Sequence, residues 1–541
     1  MARKLARLWI VILLLTTVFG AVDVARSEAA LPPTRDEAVS LGRQLEQTRK
    51  WHDAIDFYEE VLEAWPDDEN LSYGLRRSKF QFSIERRYTD ESFRSNLLAL
   101  PRAEALDVLE GVLNKIEANF VEPISAQSVV AHGTESLWLA LANDKFRELH
   151  LSGVSRDRIR QMRTALRREY WNKPIAGRQD VRRTVGEVCD MGERLLGLDA
   201  GAVVMEYVFG ACNCLDDYSS VLTPTRYADL FSNIDGEFVG IGIVMEGELG
   251  RGMALIDVLP ESPAEEAGLL PGEWIIAVDR VDCRFLATEE AATMLTGPEG
   301  SRVRLEIEAE DGSTREVACR RREVKVKSIP VATMLDTQCG VAYIRLTAFQ
   351  KTSTVELDEA LNRLKRQGMR SLVWDLRGNP GGLLNEAVSV LDRFIDDGVL
   401  VSTRGRQSTQ DETFRAFGPG TWRMPLVLLI DGNSASASEI VAGAIHDHQR
   451  GTIIGRRSYG KWSVQSIYPT TNGMGLRLTT AKFYSPNGDS FSKIGVKPDI
   501  VVPLPEGRDA VRRSSAPVDP ETDPDLKAAL EHLCGQSYTR R

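Results

Sequence analysis

The chain has little that would suit a nucleic-acid or nucleotide partner. Its 541 residues carry a formal net charge of −11, which argues against a polyanionic ligand. The glycines of "GEFVGIGIVMEG" lack the G-x-G-x-x-G spacing ahead of a helix that binds dinucleotides. The charged stretch "SRDRIRQMRTALRREYW" is therefore interpreted as a solvated helix face. We expect no nucleic-acid partner.

The N-terminus also lacks the cysteine of a lipoprotein signal, since the first cysteine is Cys189. A basic start, with Arg3, Lys4 and Arg7, is followed by an apolar run over residues 8–22. That run is short for a membrane span, which needs about 20 apolar residues. It predicts a signal peptide over 1–29, cleaved after Ala29, with an uncleaved anchor as the alternative. We expect an exported protein of the periplasm or cell envelope.

Cysteines are few and odd in number, seven in all, so at least one is unpaired or intermolecular. The pair in "CNC" at 212–214 fits no zinc-binding spacing and has no histidine nearby. We interpret these residues as buried thiols or as one disulfide with Cys189. No metal site is predicted.

Two helical sections follow the leader. Residues 35–80 have Gly42, Ala54 and Tyr58 at spacings close to a tetratricopeptide repeat. With a single repeat, a hairpin packed on its neighbours is as good an interpretation as an adaptor-binding module. Residues 100–235 have helical periodicity, as in "RAEALDVLEGVLNKIEANF".

Residues 236–321 change to short strands and glycine turns, and "SPAEEAGLLPGEWI" within them resembles a PDZ domain of the kind found in bacterial proteases. Such domains add a peptide as a strand and hold its terminal carboxylate on backbone N–H groups. The alternative is a small β-domain without a ligand. The resemblance implies a carboxylate-binding loop of Phe238, Val239, Gly240, Ile241 and Gly242, with Ile241 and Ile243 near an apolar pocket.

Residues 322–505 alternate strands and helices, which favours a largely parallel sheet covered on both faces. Residues 506–541 are interpreted as a polar linker over 506–524 and a short helix, "DLKAALEHLC". The predicted fold class is thus multidomain α/β: a helical N-terminal region, a PDZ-like β-domain with short helices, and an α/β domain.

The stretch "DGNSASASEI" places Ser434, Ser436 and Ser438 at a strand-to-helix junction. A serine nucleophile needs a base to take its proton. Histidine is scarce, at six residues. His446 and His448 follow on the same predicted helix, about 15 Å along its axis, too far to reach back.

Lysine is the alternative base, provided that burial lowers its pKa. Lys461 lies in a glycine-flanked turn between apolar strands, with the neutral amide of Gln465 four positions later. This neutral amide would hold the amine in place without raising its pKa. A carboxylate at the same position would raise the lysine pKa.

Five motifs occur in order after the PDZ-like segment: "DLRGNPGG", "NSASASEI", "YGKWSVQ", "LRLTTAKFYSPNG" and "IGVKPDI". In this order they resemble the C-terminal processing peptidases, or tail-specific proteases, from about residue 210 to 505. The resemblance implies a crotonase-like or ClpP-like protease domain. It also implies a dyad of nucleophile Ser436 and base Lys461, with Gln465 orienting the lysine.

The resemblance also implies an oxyanion hole from the N–H groups of Ala437 and Gly382, with Gly381 as the alternative. Ser434 and Ser438 become turn and cap residues. Trp462 departs from the family, which usually has glycine there. It would narrow the cleft, bury Lys461 further, or point away.

The sequence therefore predicts an exported serine endopeptidase that cuts proteins at or near apolar C-terminal tails and needs no cofactor. Possible further partners are an adaptor at the helical hairpin and the membrane surface. One rival is a non-catalytic adaptor, which the joint presence of Ser436, Lys461 and Gln465 disfavours. The other is a cytosolic hydrolase, which the leader disfavours.

Overall fold

The computed structural model describes residues 12–13, 32–248, 250–286, 288–418, 421–503 and 518–539. The predicted signal peptide therefore lies outside the described residues, apart from Ile12–Leu13, which form the short strand β1. In the described part of the chain, no helix is long and apolar enough to cross a membrane. The multidomain α/β fold class is confirmed.

The N-terminal section is a bundle of three helices and a short fourth. Tyr58 packs between the first and third helices, where a Cβ at Gly42 or Gly74 would come within 2.4 or 2.3 Å of its ring. Gly42, which lies at a repeat-like spacing, and Gly74 thus leave the space that the Tyr58 ring fills. The helices are α1 (Arg35–Gln47), α2 (Trp51–Ala64), α3 (Glu69–Thr89) and α4 (Glu91–Phe93), followed by a π-helical turn (Arg94–Leu98).

A second helical section packs around one helix that is buried along almost its whole length, α10 (Ala200–Cys212). Within it, Glu206 binds Arg87 of α3, which joins the two helical sections through a buried ion pair. The remaining helices are α5 (Arg102–Asn119), α6 (Ala126–Ala140), α7 (Asp144–His150), α8 (Arg156–Ala165, continuing into a π-helical turn, Leu166–Tyr170) and α9 (Arg178–Leu196).

A connecting segment leads into a small antiparallel β-domain. The segment consists of β2 (Ser220–Leu222), α11 (Pro224–Asp235) and β3 (Glu237–Gly240). The domain's sheet has the order β4-β5-β6-β8-β9, with β7 paired to β6. Its elements are β4 (Ile243–Glu248), β5 (Gly252–Val258), α12 (Pro263–Glu266), β6 (Trp274–Val278), β7 (Val281–Asp282), α13 (Thr288–Leu295), β8 (Arg302–Glu308) and β9 (Thr314–Arg320). The chain leaves through β10 (Arg322–Lys325), which pairs with β3.

The α/β domain is built on a sheet of order β11-β12-β13-β17-β18-β21, parallel except for the β11–β12 pair. Three of its central strands, β12, β13 and β17, are buried at every position, as expected when both faces are covered. The strands are β11 (Val331–Asp336), β12 (Val341–Arg345), β13 (Ser371–Asp375), β17 (Leu426–Ile430), β18 (Thr452–Gly455) and β21 (Ile500–Val501).

Helices cover this sheet on both sides. One face packs against α14 (Ser353–Arg366), α15 (Leu384–Leu391) and α16 (Ala437–Asp447), and the other against the C-terminal helix α17 (Pro524–Thr539). A second, antiparallel sheet has the order β16-β15-β20-β19, with β2 joining at β20. Its strands are β15 (Val399–Gly405), β16 (Glu412–Arg415), β19 (Ser463–Pro469) and β20 (Gly475–Tyr484). The short β14 (Gly382–Leu383) pairs antiparallel with β1.

Candidate active site

Ser436 occupies the turn between β17 and α16. Its backbone has φ +58° and ψ −111°, a conformation that a residue with a Cβ rarely adopts. The residue is buried, and its Oγ has no hydrogen-bond partner among the described residues. A strained turn at a helix N-terminus thus holds an uncommitted hydroxyl inside the protein.

Lys461 is almost completely buried as well, with 3% of the residue exposed. Its Nζ lies 4.9 Å from the centre of the Tyr218 ring. Burial lowers the lysine pKa most, and the charge of Arg477 lowers it further, whereas Glu439 and Asp216 raise it. The result is a fall from 10.5 to about 7, so the amine is available as a base near neutral pH.

Glu439 connects the two residues, although sequence reasoning gave it no role. One of its oxygens, Oε2, accepts the backbone N–H of Ser436 at 2.9 Å and that of Lys461 at 2.8 Å. The other, Oε1, accepts the Gly460 N–H and the Ser458 hydroxyl, both at 2.6 Å. The nucleophile turn (431–436) and the lysine turn (457–462) therefore converge on a single buried carboxylate.

The glycine loop after β13 lies against Ser436. A Cβ at Gly381 would come within 2.8 Å of the Ser436 Cβ and 2.9 Å of the Ala437 nitrogen. The Gly381 N–H already donates to Asn379 Oδ1 at 2.8 Å. This favours Gly382 over Gly381 as the second oxyanion donor, beside Ala437 at the start of α16. The assignment of the oxyanion hole stays a prediction.

Ser434 and Ser438 tie this glycine loop to the nucleophile turn. Ser434 Oγ donates to the Leu376 carbonyl, and Ser438 Oγ donates to the Asn379 carbonyl, each at 2.8 Å. Ser438 therefore binds the loop and is not a helix cap, which corrects the sequence interpretation. Asn379 itself donates to the Leu346 carbonyl at 2.9 Å, so it anchors the loop from both sides.

Gln465 is fully buried on β19. Its Nε2 donates to Ser463 Oγ at 2.8 Å and lies 3.4 Å from Thr479 Oγ1, while its Oε1 has no hydrogen-bond partner among the described residues. Its predicted role in orienting Lys461 stays a prediction.

Trp462 points away from the cleft. Its indole is buried against Phe483 and Phe491, with ring centres 4.5 and 4.9 Å away. A Cβ at Gly443 of α16 would come within 3.0 Å of it. Trp462 therefore fills the core behind Lys461 and does not narrow the cleft.

His446 of α16 and His448, which follows the end of that helix, contact other groups. His446 is exposed beside Asp447, and His448 Nε2 hydrogen-bonds the Val399 carbonyl at 2.7 Å. These contacts leave Lys461 as the base candidate near Ser436.

Three of the six predicted peptide-binding residues, Phe238, Val239 and Gly240, pair with β10. Ile241 and Gly242 form the turn into β4, where Ile241 is buried in the domain core and Ile243 is partly buried beside it. Within the described residues, β4 is an edge strand, paired to β5 alone. The predicted role of these six residues in binding a terminal carboxylate stays a prediction.

The cysteines follow a different pairing from the one considered. Cys339 and Cys534 form a disulfide with a Cα–Cα distance of 5.7 Å, whereas Cys189, Cys212 and Cys214 are free thiols. Of the two alternatives for "CNC", the thiol form is present. In the described chain, the one cluster with metal-ligand spacing is Asp336 with that same disulfide pair.

Comparison with known proteins places this site in a family. The model of Peptidase family S41 matches residues 340–502, and that of the PDZ domain matches residues 256–308. A carboxyl-terminal-processing protease of Synechocystis sp. is 34% identical over 68% of this chain and 81% of its own length. A carboxy-terminal-processing protease of Bartonella bacilliformis is 38% identical over 57% of this chain and 72% of its own.

The chain belongs to the carboxyl-terminal-processing proteases of peptidase family S41. It is a serine peptidase with a PDZ domain, and the predicted family is confirmed. The solved structure of a photosystem II D1 C-terminal processing protease is similar at a TM-score of 0.40 and 25% identity, covering 74% of this chain and 92% of that one.

Sequence reasoning missed several residues of the site. Glu439 and Asn379 are buried polar side chains inside motifs that were recognised for their serines and glycines. A carboxylate that follows three small residues into an apolar helix is a usable signal, because a buried charge needs partners. Tyr218 and Arg477 carry no comparable local signal, since chain topology alone brings them to Lys461.

Proposed function

We propose that this carboxyl-terminal-processing protease works through a Ser436–Lys461 dyad. The observation that carries the proposal is the shared oxygen of Glu439, which receives the amides of both residues. Burial of the amine, with a pKa near 7, supplies the second requirement of a lysine base.

The mechanism follows from these positions. Ser436 Oγ attacks the scissile carbonyl carbon while neutral Lys461 takes its proton. The oxyanion binds the N–H groups of Ala437 and Gly382, at the positive end of the α16 dipole. Lys461 then gives the proton to the leaving amine, and the bond to that amine breaks. Water hydrolyses the acyl-enzyme, with Lys461 again acting as the base.

The substrate chain would bind in extended form along β14. The support is β1, in which Ile12 and Leu13 lie antiparallel to Leu383 and Gly382. An extended apolar segment on this edge passes the proposed oxyanion donor. A protein tail bound in the same way would present its peptide bond to Ser436.

Tail selection is proposed for the PDZ domain. Its edge strand β4 and the turn at Ile241 and Gly242 would take a free apolar C-terminus. Peptides with a free C-terminus should bind better than their amidated forms, because amidation removes the captured charge. Equal binding would count against tail recognition. An adaptor at α1–α3 and peripheral membrane association are further possible partnerships.

Export is also proposed. The support is the basic and apolar start of the chain together with the Cys339–Cys534 disulfide, since disulfides persist mainly in oxidising compartments. We expect mature protein to begin near Ala30 in a periplasmic or envelope fraction. An intact N-terminus on cytoplasmic protein would contradict this.

The function is tested by incubating mature protein with a model substrate carrying an apolar tail and identifying the products by mass spectrometry. We expect fragments shortened at or near the C-terminus, and none with Ser436→Ala. A folded Ser436→Ala variant that cleaves at the parent rate would refute the nucleophile. Tail binding by a parent that never cleaves would favour the adaptor alternative.

A further inference from the structure

The C-terminal helix α17 lies on the sheet face opposite the helices that carry the nucleophile. Its apolar side, with Leu526, Ala529 and Leu533, packs on the central strands. Its N-terminal end reaches the edge where β13, β17 and β18 finish. Since the glycine loop, the nucleophile turn and the lysine turn all begin at that edge, the end of α17 lies beneath the active site.

Arg377 connects the C-terminal segment to the glycine loop of the active site. It lies between β13 and the glycine loop Gly378–Gly382, and it is buried. Its guanidinium binds Asp375 at 2.6 and 2.9 Å, Asp525 at 2.6 Å and Asp523 at 3.0 and 3.1 Å. Two of its three carboxylate partners thus come from the C-terminal segment, about 150 residues later in the chain.

Asp525 also binds a second arginine. Arg456, which follows β18 and leads into the lysine turn, donates to Asp525 at 2.7 and 2.9 Å. The same carboxylate therefore joins the start of the glycine loop to the start of the lysine turn. Asp523 holds this geometry by accepting the Asp525 N–H at 3.1 Å at the beginning of α17.

The sequence interpretation of 506–524 as a polar linker does not extend to Asp523, which is buried. Three buried carboxylates share two arginines, the buried Arg377 and the partly buried Arg456. Removing Asp525 leaves N–H groups of both guanidinium groups without their acceptor inside the protein. Such a cluster is costly to build for stability alone.

We propose that the segment Asp523–Thr539 is a positioning element of the active site, in which Asp523 and Asp525 hold Arg377 and Arg456 so that the glycine loop and the lysine turn stay aligned with Ser436. The proposal rests on the dyad function given above. Asp523 and Asp525 touch no reacting atom and act through the two arginines.

The Cys339–Cys534 disulfide secures this element. Cys534 lies on α17, and Cys339 lies in the turn between β11 and β12, 195 residues earlier. A dithiol reductant supplies two electrons and two protons, which breaks the S–S bond into two thiols while the dithiol becomes its cyclic disulfide. Reduction therefore removes the covalent restraint on α17, and we expect Asp523 and Asp525 to hold the two arginines less firmly.

The test compares Asp525→Asn with Glu521→Gln, which changes an exposed carboxylate just before the segment. For each, kcat and KM are measured on the tailed substrate, along with inhibition by a peptide aldehyde, whose hemiacetal oxygen occupies the oxyanion hole. For Asp525→Asn we expect kcat at least about tenfold lower, KM within about twofold, and aldehyde affinity about tenfold weaker. Glu521→Gln should match the parent, and Asp525→Glu should restore part of kcat.

A folded Asp525→Asn variant with parental kcat and aldehyde affinity overturns the proposal. If that variant does not fold, the parent is measured before and after reduction by dithiothreitol, with Cys534→Ser as the control that reduction should not change further. Unchanged kcat in the reduced parent then overturns the proposal, and a fall in kcat with KM retained supports it. Cleavage by a folded Ser436→Ala variant at the parent rate would overturn the proposed function itself. That result is distinguishable from the outcomes for Asp525→Asn and for the reduced parent.

Discussion

Replacing Lys461 with methionine should stabilise the protein while abolishing its activity. The lysine is buried, and its pKa falls from 10.5 to about 7, first through burial and then through the charge of Arg477. Methionine has a similar length without the charge, so the core loses a group that prefers water. Burial keeps the lysine neutral and so makes it a base, but the same burial lowers the stability of the fold.

The size of the effect follows from the two pKa values. Between about pH 7 and 10.5 the unfolded chain binds a proton that the folded protein does not, so the parent becomes more stable as pH rises. At about 1.4 kcal/mol per pKa unit, the lysine costs about 4 kcal/mol at pH 7 and about 2 kcal/mol at pH 9. The cost is largest below about pH 7 and vanishes above about pH 10.5.

The measurement is the free energy of unfolding by urea, for parent and Lys461→Met, at pH 7 and pH 9. We expect the variant to be more stable at both, with an advantage that shrinks at the higher pH. Lys497→Met, at an exposed lysine, is the control and should show no such trend. A Lys461→Met variant that is less stable, or whose advantage is independent of pH, would refute burial as the cause of the lowered pKa.

Three further outcomes are expected. In Glu439→Gln, one carboxylate oxygen becomes an NH2 group, which would face N–H or O–H donors that Glu439 accepts in the parent. We therefore expect kcat/KM in the cleavage assay to fall at least about 100-fold. A fall below about threefold would refute the role of Glu439. Gly443→Ala adds a methyl group 3.0 Å from the buried Trp462 indole, which packs against Phe483 and Phe491. Overpacking of about 1–3 kcal/mol should exceed the roughly 1 kcal/mol that alanine gains over glycine in a helix, so the unfolding free energy should drop. The loss should be smaller in a Trp462→Phe background, and an equal loss would show that the two do not touch. Ser438→Ala breaks the bond to the Asn379 carbonyl, so kcat should fall more than KM changes; parental kcat would contradict this.

Much of the fold followed from local patterns. The apolar strands ending at Asp375, Ile430 and Gly455 alternate with amphipathic helices, and that alternation fixes a parallel sheet. In such a sheet, loops that leave the same edge meet. This is why motifs far apart in sequence could be assigned to one site.

The contacts that hold the site together could not be predicted in the same way. Glu439 gains its role from four donors on two turns, and Asp525 gains its role from arginines at the ends of β13 and β18. The sequence around neither side chain predicts which residues it will contact. The polar composition before α17 suggested a solvated linker, because composition does not reveal that Asp523 meets a buried arginine.

Lys461 is proposed to activate Ser436, and the rate at which a fluorophosphonate labels Ser436 measures that activation at the nucleophile itself. The rate of labelling is followed by intact mass between pH 5 and pH 9, and the modified residue is identified by peptide mapping. We predict a single label on Ser436, with a rate that rises about tenfold per pH unit and levels off above about pH 7, as neutral Lys461 accumulates. Lys461→Met should label at a low rate without this rise. Labelling at another residue, or an unchanged pH profile in Lys461→Met, would contradict the dyad.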